Sequence, residues 1–248
     1  TIKIMDFTEL ALKHLVPSLG IILGTMMYMS PLKAIRDVKR YNTLGEFNTL
    51  PLPMIVANTI VWLIYASFIK SPYVAGANLP GLVLGVYMTF VAYGVADMKT
   101  RDSMLRVIVV ITSVLALGTI AVALFVKDPA MSANAIGYLA VGILLCYYSA
   151  PLSALAAVVQ SQTSASLHAP LSFMCFMNGA LWVAYGLAVG DAFIWGPNGV
   201  GALFGAIQLF LLAIFPKSSS TQERMSAQDE VERAPLQQQE QSRFSSPQ

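Results

Sequence analysis

Four side chains able to bind a solute recur in an otherwise apolar sequence: Asn58, Trp62, Tyr65 and Asn78, then, 120 residues on, Asn178, Trp182, Tyr185 and Asn198. An amide donates and accepts hydrogen bonds, and an indole offers a flat face to C–H surface. Placed together, such groups suit a neutral polyhydroxylated solute, with the amides on its hydroxyls and the rings on its apolar faces. Asn58, Trp62 and Tyr65 are spaced i, i+4 and i+7, which puts them on one face of a helix, and Asn178, Trp182 and Tyr185 repeat that spacing. Asn78 and Asn198 stand in ANLPG and PNGVG, where Pro80, Gly81, Pro197 and Gly199 leave backbone room for a ligand.

The recurrence extends beyond these residues. At the same offset Tyr28 meets Tyr148, Pro31 meets Pro151, Leu32 meets Leu152, Gly81 meets Gly201 and Gly85 meets Gly205. One ungapped register over about 58 positions marks an internal repeat.

With 56% hydrophobic and 11% charged residues in 248, the chain is too apolar for a soluble domain and reads as a polytopic membrane protein. The net charge of +2 comes without a basic patch interleaved with aromatics, so no nucleic-acid partner is expected. Cys146 and Cys175 both fall in apolar stretches, which excludes a disulfide scaffold. No cleavable leader opens the sequence, so the first span is expected to stay in the mature protein.

A helix crossing ~30 Å of hydrocarbon needs about 20 uncharged residues, and seven such stretches lie near 12–32, 50–69, 73–96, 107–126, 135–158, 170–189 and 195–215. Lys33, Arg36, Lys39, Arg40, Lys99, Arg101, Arg106 and Lys217 fall on one side, against Lys3, Lys13, Lys70 and Lys127 on the other. Positive residues accumulate on the cytoplasmic side, which places the N-terminus outside and the C-terminus in the cytosol. The plasma membrane is expected ahead of an internal membrane, with bilayer lipid as the surrounding partner.

The expected fold is all-α: two parallel three-helix repeats (1–96 and 131–216) joined by a linker helix (97–130), and a disordered tail (217–248). Each repeat has an odd number of spans, so the unmatched fourth span is needed to give both the same orientation. Pro31 and Pro151 remove a helical hydrogen bond, and Pro51 and Pro170 recur near the cytoplasmic ends of spans two and six, making the four candidate hinges. Tyr65, Tyr185, Asp191 and Lys70 cluster at the outer ends of the same spans as a candidate gate.

Catalytic constellations are absent from the sequence: no HExxH, no GxSxG and no paired carboxylates, and His14 and His168 lie at opposite membrane faces. No phosphate-cradling loop of the Walker type occurs, so no enzyme, metal or cofactor is expected. All thirteen acidic residues lie outside the middle of the spans, which removes the titratable group that proton coupling would need.

The segments SPLKAIRDVKRYNTLGEFNTLPLPM, NTIVWLIYA, YYSAPLSALAAVV, NGALWVAYG and PNGVGALFG resemble the SWEET family of sugar uniporters over residues 10–216. The resemblance implies a seven-helix 3-1-3 bundle, facilitated diffusion of sugars by alternating access, and assembly into homo-oligomers. It assigns sugar contacts to Asn78, Asn198 and Trp182 and a proline tetrad to Pro31, Pro51, Pro151 and Pro170. Two opposed indoles leave less room than one, so a hexose is expected over a disaccharide. A seven-helix receptor is the competing class; the repeat and the short connections argue against it. A proton-coupled amino-acid carrier of related architecture would carry Pro-Gln where this chain has Pro31-Leu32 and Pro151-Leu152.

Overall fold

The computed structural model describes residues 7–45 and 47–215, with the side chains of 149–151 excepted. The described residues form seven helices long and apolar enough to cross a membrane: α1 (Phe7–Tyr41), α2 (Pro51–Ile69), α3 (Pro72–Val95), α4 (Met98–Phe125), α5 (Pro129–Ser161), α6 (Ala169–Val189) and α7 (Ala192–Ile214). No strand occurs among them. The expected tail, 217–248, lies outside the described residues.

The helix ends follow from local chemistry. The side chains of Ser71, Asp97, Asp128 and Asp191 accept hydrogen bonds from the first-turn N–H groups of α3, α4, α5 and α7, donors that have no partner within the helix. Lys70 and Gly190 close α2 and α6 in the left-handed region at φ 53° and 71°. They are repeat mates, and only the glycine adopts that conformation without steric cost.

Two departures from the expected spans have plain causes. The basic segment after Pro31, expected as a connection, is helical over Leu32–Tyr41, because Ile35 and Val38 are buried on one face while Lys33, Arg36, Lys39 and Arg40 stay exposed on the other. Ile35 packs with Leu52, Met88, Ala92 and Met104. α4 likewise begins well before residue 107, at Met98, where the Asp97 side chain accepts from Thr100 N and starts the helix.

Packing arranges six helices in a closed ring: α1 touches α3, α3 touches α2, α2 touches α5, α5 touches α7, α7 touches α6, and α6 returns to α1. Under the 120-residue offset the pairs α1–α3 and α5–α7 are equivalent, as are α2–α3 and α6–α7, and the cross-repeat pairs α1–α6 and α2–α5. α4 stands outside the ring against α2, α3 and α5. The closest approach within a repeat is α6 on α7, made possible by glycines: a Cβ on Gly179 would stand 2.7 Å from the Asn198 carbonyl oxygen and the Ala202 nitrogen. Between membrane helices such van der Waals proximity replaces the missing hydrophobic drive.

The apolar core is distributed unequally along the ring axis. At the end carrying Asp191, one cluster draws on both repeats, including Val61, Trp62, Tyr65, Trp182, Tyr185 and Ile194. At the end carrying Arg36 the core divides. One cluster joins Ile35, Leu52, Met88, Ala92 and Met104, and a separate one joins Leu155, Val158, Leu167 and Leu211. The repeats thus share a core at one end and keep their own at the other.

Gly179→Val should overpack the α6–α7 contact and destabilise the detergent-purified protein by about 1–3 kcal/mol, read as a lower thermal midpoint. Gly142→Val, where an added Cβ meets nothing within 4 Å, should leave that midpoint in place.

Candidate functional site

The closed end is built from the repeat itself. Tyr65 of the first repeat donates its hydroxyl to Asp191, 2.9 and 2.8 Å from the two carboxylate oxygens. Tyr185 of the second repeat lies 3.1 Å, hydroxyl to hydroxyl, from Ser71. Asp191 and Ser71 are repeat mates and both cap the third helix of their repeat, so each tyrosine bonds the cap of the opposite one. The rings follow the same rule: Tyr65 packs edge-on against Phe193, and Tyr185 against Tyr73, the repeat mate of Phe193, each at 5.8 Å between centroids. His14 reaches Tyr73 and Tyr138 packs on Phe193 at 4.9 Å, extending both stacks.

A carboxylate makes the Tyr65 contact charge-assisted, roughly twice the strength of a neutral bond such as Tyr185–Ser71. Lys70, expected beside Asp191, is not brought to it: it is exposed at the left-handed end of α2 and makes no ion pair with that carboxylate.

Beneath this layer stand the indoles. Trp62 and Trp182 are 7% and 6% exposed, and each packs edge-on against the tyrosine of its own helix, at 5.7 Å (Trp62–Tyr65) and 5.6 Å (Trp182–Tyr185). Their polar edges differ. Trp62 donates from Nε1 to Asn58 Oδ1 at 3.2 Å, whereas Asn178 Oδ1 is buried without a partner and Trp182 lies against Gly20 of α1.

Asn78 and Asn198 behave alike. Each donates from Nδ2 to the carbonyl one turn earlier on its own helix, Val74 and Ile194, at 2.8 Å. Val74 and Ile194 belong to the shared core with both indoles, so the two amides hang one turn below it. The bond fixes each amide and occupies one of its donors, leaving a second N–H and the oxygen for a ligand.

The four prolines divide into two kinds. α1 is interrupted at Ser30–Pro31, where Ser30 N bonds Met27 O at 3.1 Å and the helix resumes at Leu32. Pro51 and Pro170 instead occupy the first turns of α2 and α6. A first-turn proline deletes no interior hydrogen bond, so the weak-point argument applies at Pro31 and not at these two. The α5 backbone stays helical through residue 151.

A cleft of about 370 Å³ lies between α2 and α4, lined by Ile60, Ile64, Ile111, Leu115 and Thr119 among others. It contains none of the matched Asn, Trp or Tyr residues and opens outside the ring, so it is not the solute path. Sequence reasoning missed Ser71, Tyr73, Phe193 and Gly20. The first three were reachable: the same offset that paired Tyr65 with Tyr185 pairs Ser71 with Asp191 and Tyr73 with Phe193. Gly20 was not, because its role is the absence of a side chain opposite Trp182.

Comparison with known proteins bears on this geometry. A family model described as a sugar efflux transporter for intercellular exchange matches residues 14–101 and again 134–220, that is, once over each repeat, with α4 beyond its first turn left out. The bidirectional sugar transporter SWEET17 of Arabidopsis thaliana is 28% identical over 204 residues, covering 79% of this chain and 83% of that protein. SWEET2a of Oryza sativa subsp. indica, also named a bidirectional sugar transporter, is 30% identical over 205 residues, covering 81% and 83%. A solved chain of a eukaryotic SWEET transporter superposes with a TM-score of 0.76 at 24% identity, covering 84% of this chain and 98% of that one, and has the same fold.

The unequal bonds give a test of the closure. A cysteine at Ile194, in a background lacking Cys146 and Cys175, should react faster with an impermeant thiol reagent after Tyr65→Phe, on the order of tenfold, since a charge-assisted bond is lost. Tyr185→Phe should raise the rate less. Equal rates would contradict the asymmetry.

Proposed function

The chain belongs to the MtN3_slv family of sugar efflux transporters, the SWEET transporters, and on that premise we propose that it is a bidirectional sugar uniporter working by alternating access. One observation carries the mechanism: the repeats are bonded to each other at the Asp191 end and hold separate cores at the Arg36 end. That is the arrangement of a carrier caught with one end closed. Rocking the two repeats about the indole layer would open one end as the other closes; the two-fold axis of parallel repeats runs along the membrane normal, so both repeats move alike about it.

In this reading the Asp191 end faces the outside and the Arg36 end the cytosol, following the excess of Lys and Arg there. The N-terminus is then outside, the C-terminus cytosolic, and the plasma membrane the site of action. Asn78 and Asn198 take sugar hydroxyls, and Trp62 and Trp182 stack on the ring with Asn58 and Asn178 behind them. Pro31 supplies the pivot of the first repeat and Pro151 that of the second; Pro51 and Pro170 mark the helix starts on which those arms bear. Surrounding lipid and a homo-oligomer complete the assembly.

Energy coupling is absent in this proposal. A proton- or sodium-driven carrier needs a titratable or acidic group at membrane depth, where its cost makes it stand out. Among the described residues, Glu9, Asp97, Asp128 and Asp191 sit at helix starts, Asp102 just past the first turn of α4 and Asp37 in the basic helical segment after Pro31, none of them at mid-span, and no group of three His, Cys, Asp or Glu side chains gathers to hold an ion. The sugar gradient is then the sole driving force.

Size selection follows from the two indoles, whose buried positions narrow the passage for anything larger than one ring. Labelled glucose should enter transport-deficient cells expressing the protein faster than sucrose, equilibrate without accumulating, and be indifferent to a protonophore. Asn78→Ala or Asn198→Ala should nearly abolish uptake while the protein still reaches the membrane, since an unpaired hydroxyl costs about 1–3 kcal/mol. Accumulation against the gradient, or normal uptake in both variants, would overturn the proposal.

A further inference from the structure

The two indoles are repeat mates, yet they are held by different things. Trp62 is anchored within its own helix by the bond from Nε1 to Asn58 Oδ1. The same i, i+4 bond is available to Trp182, because Asn178 stands one turn before it on a helix of the same geometry. It is not made: Asn178 Oδ1 is buried and has no hydrogen-bond partner. The indole edge of Trp182 instead fills a notch on α1, where a Cβ on Gly20 would fall 2.8 Å from Nε1 and 3.0 Å from Cε2. Real Cβ atoms do not approach so closely, so the notch exists only because residue 20 is glycine. The repeat mate of Gly20 is Ala140, fully buried in the same core cluster as Trp62, and it carries the methyl group that Gly20 lacks. A buried acceptor without a donor costs free energy that a short movement of the neighbouring indole would recover.

We propose that Trp182 is a two-position side chain and that Gly20 is its positioning residue. With the Asp191 end closed, α1 lies on α6 and the indole rests in the Gly20 notch, leaving Asn178 Oδ1 vacant. When α1 and α6 separate, the notch withdraws and Nε1 donates to Asn178 Oδ1, reproducing the bond already present between Trp62 and Asn58. The position of Trp182 thereby reports which end is closed, while Trp62 stays fixed. A small side chain on α1 thus sets the equilibrium between two positions of a ring in the solute path. This inference rests on the carrier reading for its significance but not for its test, which needs no sugar.

The test reads the hydrogen-bonding state of one indole directly. In protein with Trp62→Phe and Trp195→Phe, Trp182 is the single tryptophan, and the ultraviolet resonance Raman N–H band of the purified protein distinguishes a free from a donating Nε1. Gly20→Ala should move that band to the position of a hydrogen-bonded indole. Tyr65→Phe, which loosens the closed end without touching the notch, should move it the same way and keeps the test decisive if Gly20→Ala does not fold. Adding Asn178→Leu should reverse the shift. A band that moves in neither variant, or a shift that survives Asn178→Leu, overturns the proposal, and either result would leave the sugar-uptake measurements untouched.

Discussion

The structure depends on a crossed contact: each repeat's tyrosine bonds the residue that caps the third helix of the other repeat. Helix caps are fixed points, since their side chains already hold the first-turn N–H groups in place. Tyr65 on Asp191 and Tyr185 on Ser71 therefore join two rigid bodies at positions that do not yield. Because the four contributing positions map onto each other at an offset of 120, a single rotation axis relates the two contacts. At the Arg36 end the buried apolar residues do not join the repeats, since Ile35 and Leu155 lie in separate clusters. A ring fastened at one end and divided at the other is the physical basis of everything proposed for this chain.

The repeats have kept their backbones more alike than their chemistry. Asp191 carries a charge where Ser71 does not, Gly190 turns freely where Lys70 is forced left-handed, and Gly20 leaves a notch where Ala140 fills it. Each difference puts a stronger or more adaptable feature in one half. The closure accordingly has a firm contact at Tyr65 and a weaker one at Tyr185, and the indole layer has a fixed member and a movable one. Asp191 and Gly190 lie in the second repeat and Gly20 in the first, so a passage symmetric in outline is controlled by different features of its two halves.

Much of this was legible in the residues. Seven spans, the repeat and the matched Asn, Trp and Tyr positions followed from hydropathy and one register shift, because membrane helices must satisfy their own backbone and so follow composition closely. Side-chain pairing was harder to read. Lys70 and Asp191 are opposite charges at neighbouring helix ends, yet Lys70 stays exposed without pairing to it and Tyr65 takes the carboxylate instead. Charge density disguised Leu32–Tyr41 as a connection because the apolar period of Ile35 and Val38 is short. The division of the core, and with it the state of the molecule, has no sequence signature, since the same residues must serve both states.

Opposite motion of the two ends is measured most directly by paired spin labels. One pair, at Lys70 and Val189, spans the closed end, and a second, at Lys39 and Gln162, spans the divided end; all four positions are exposed. Pulsed dipolar spectroscopy on reconstituted protein should give a short distance for the first pair and a long one for the second. Replacing Asp191 by Ala should lengthen the first and shorten the second together. A first pair that lengthens while the distribution at the Arg36 end stays unchanged would contradict the account.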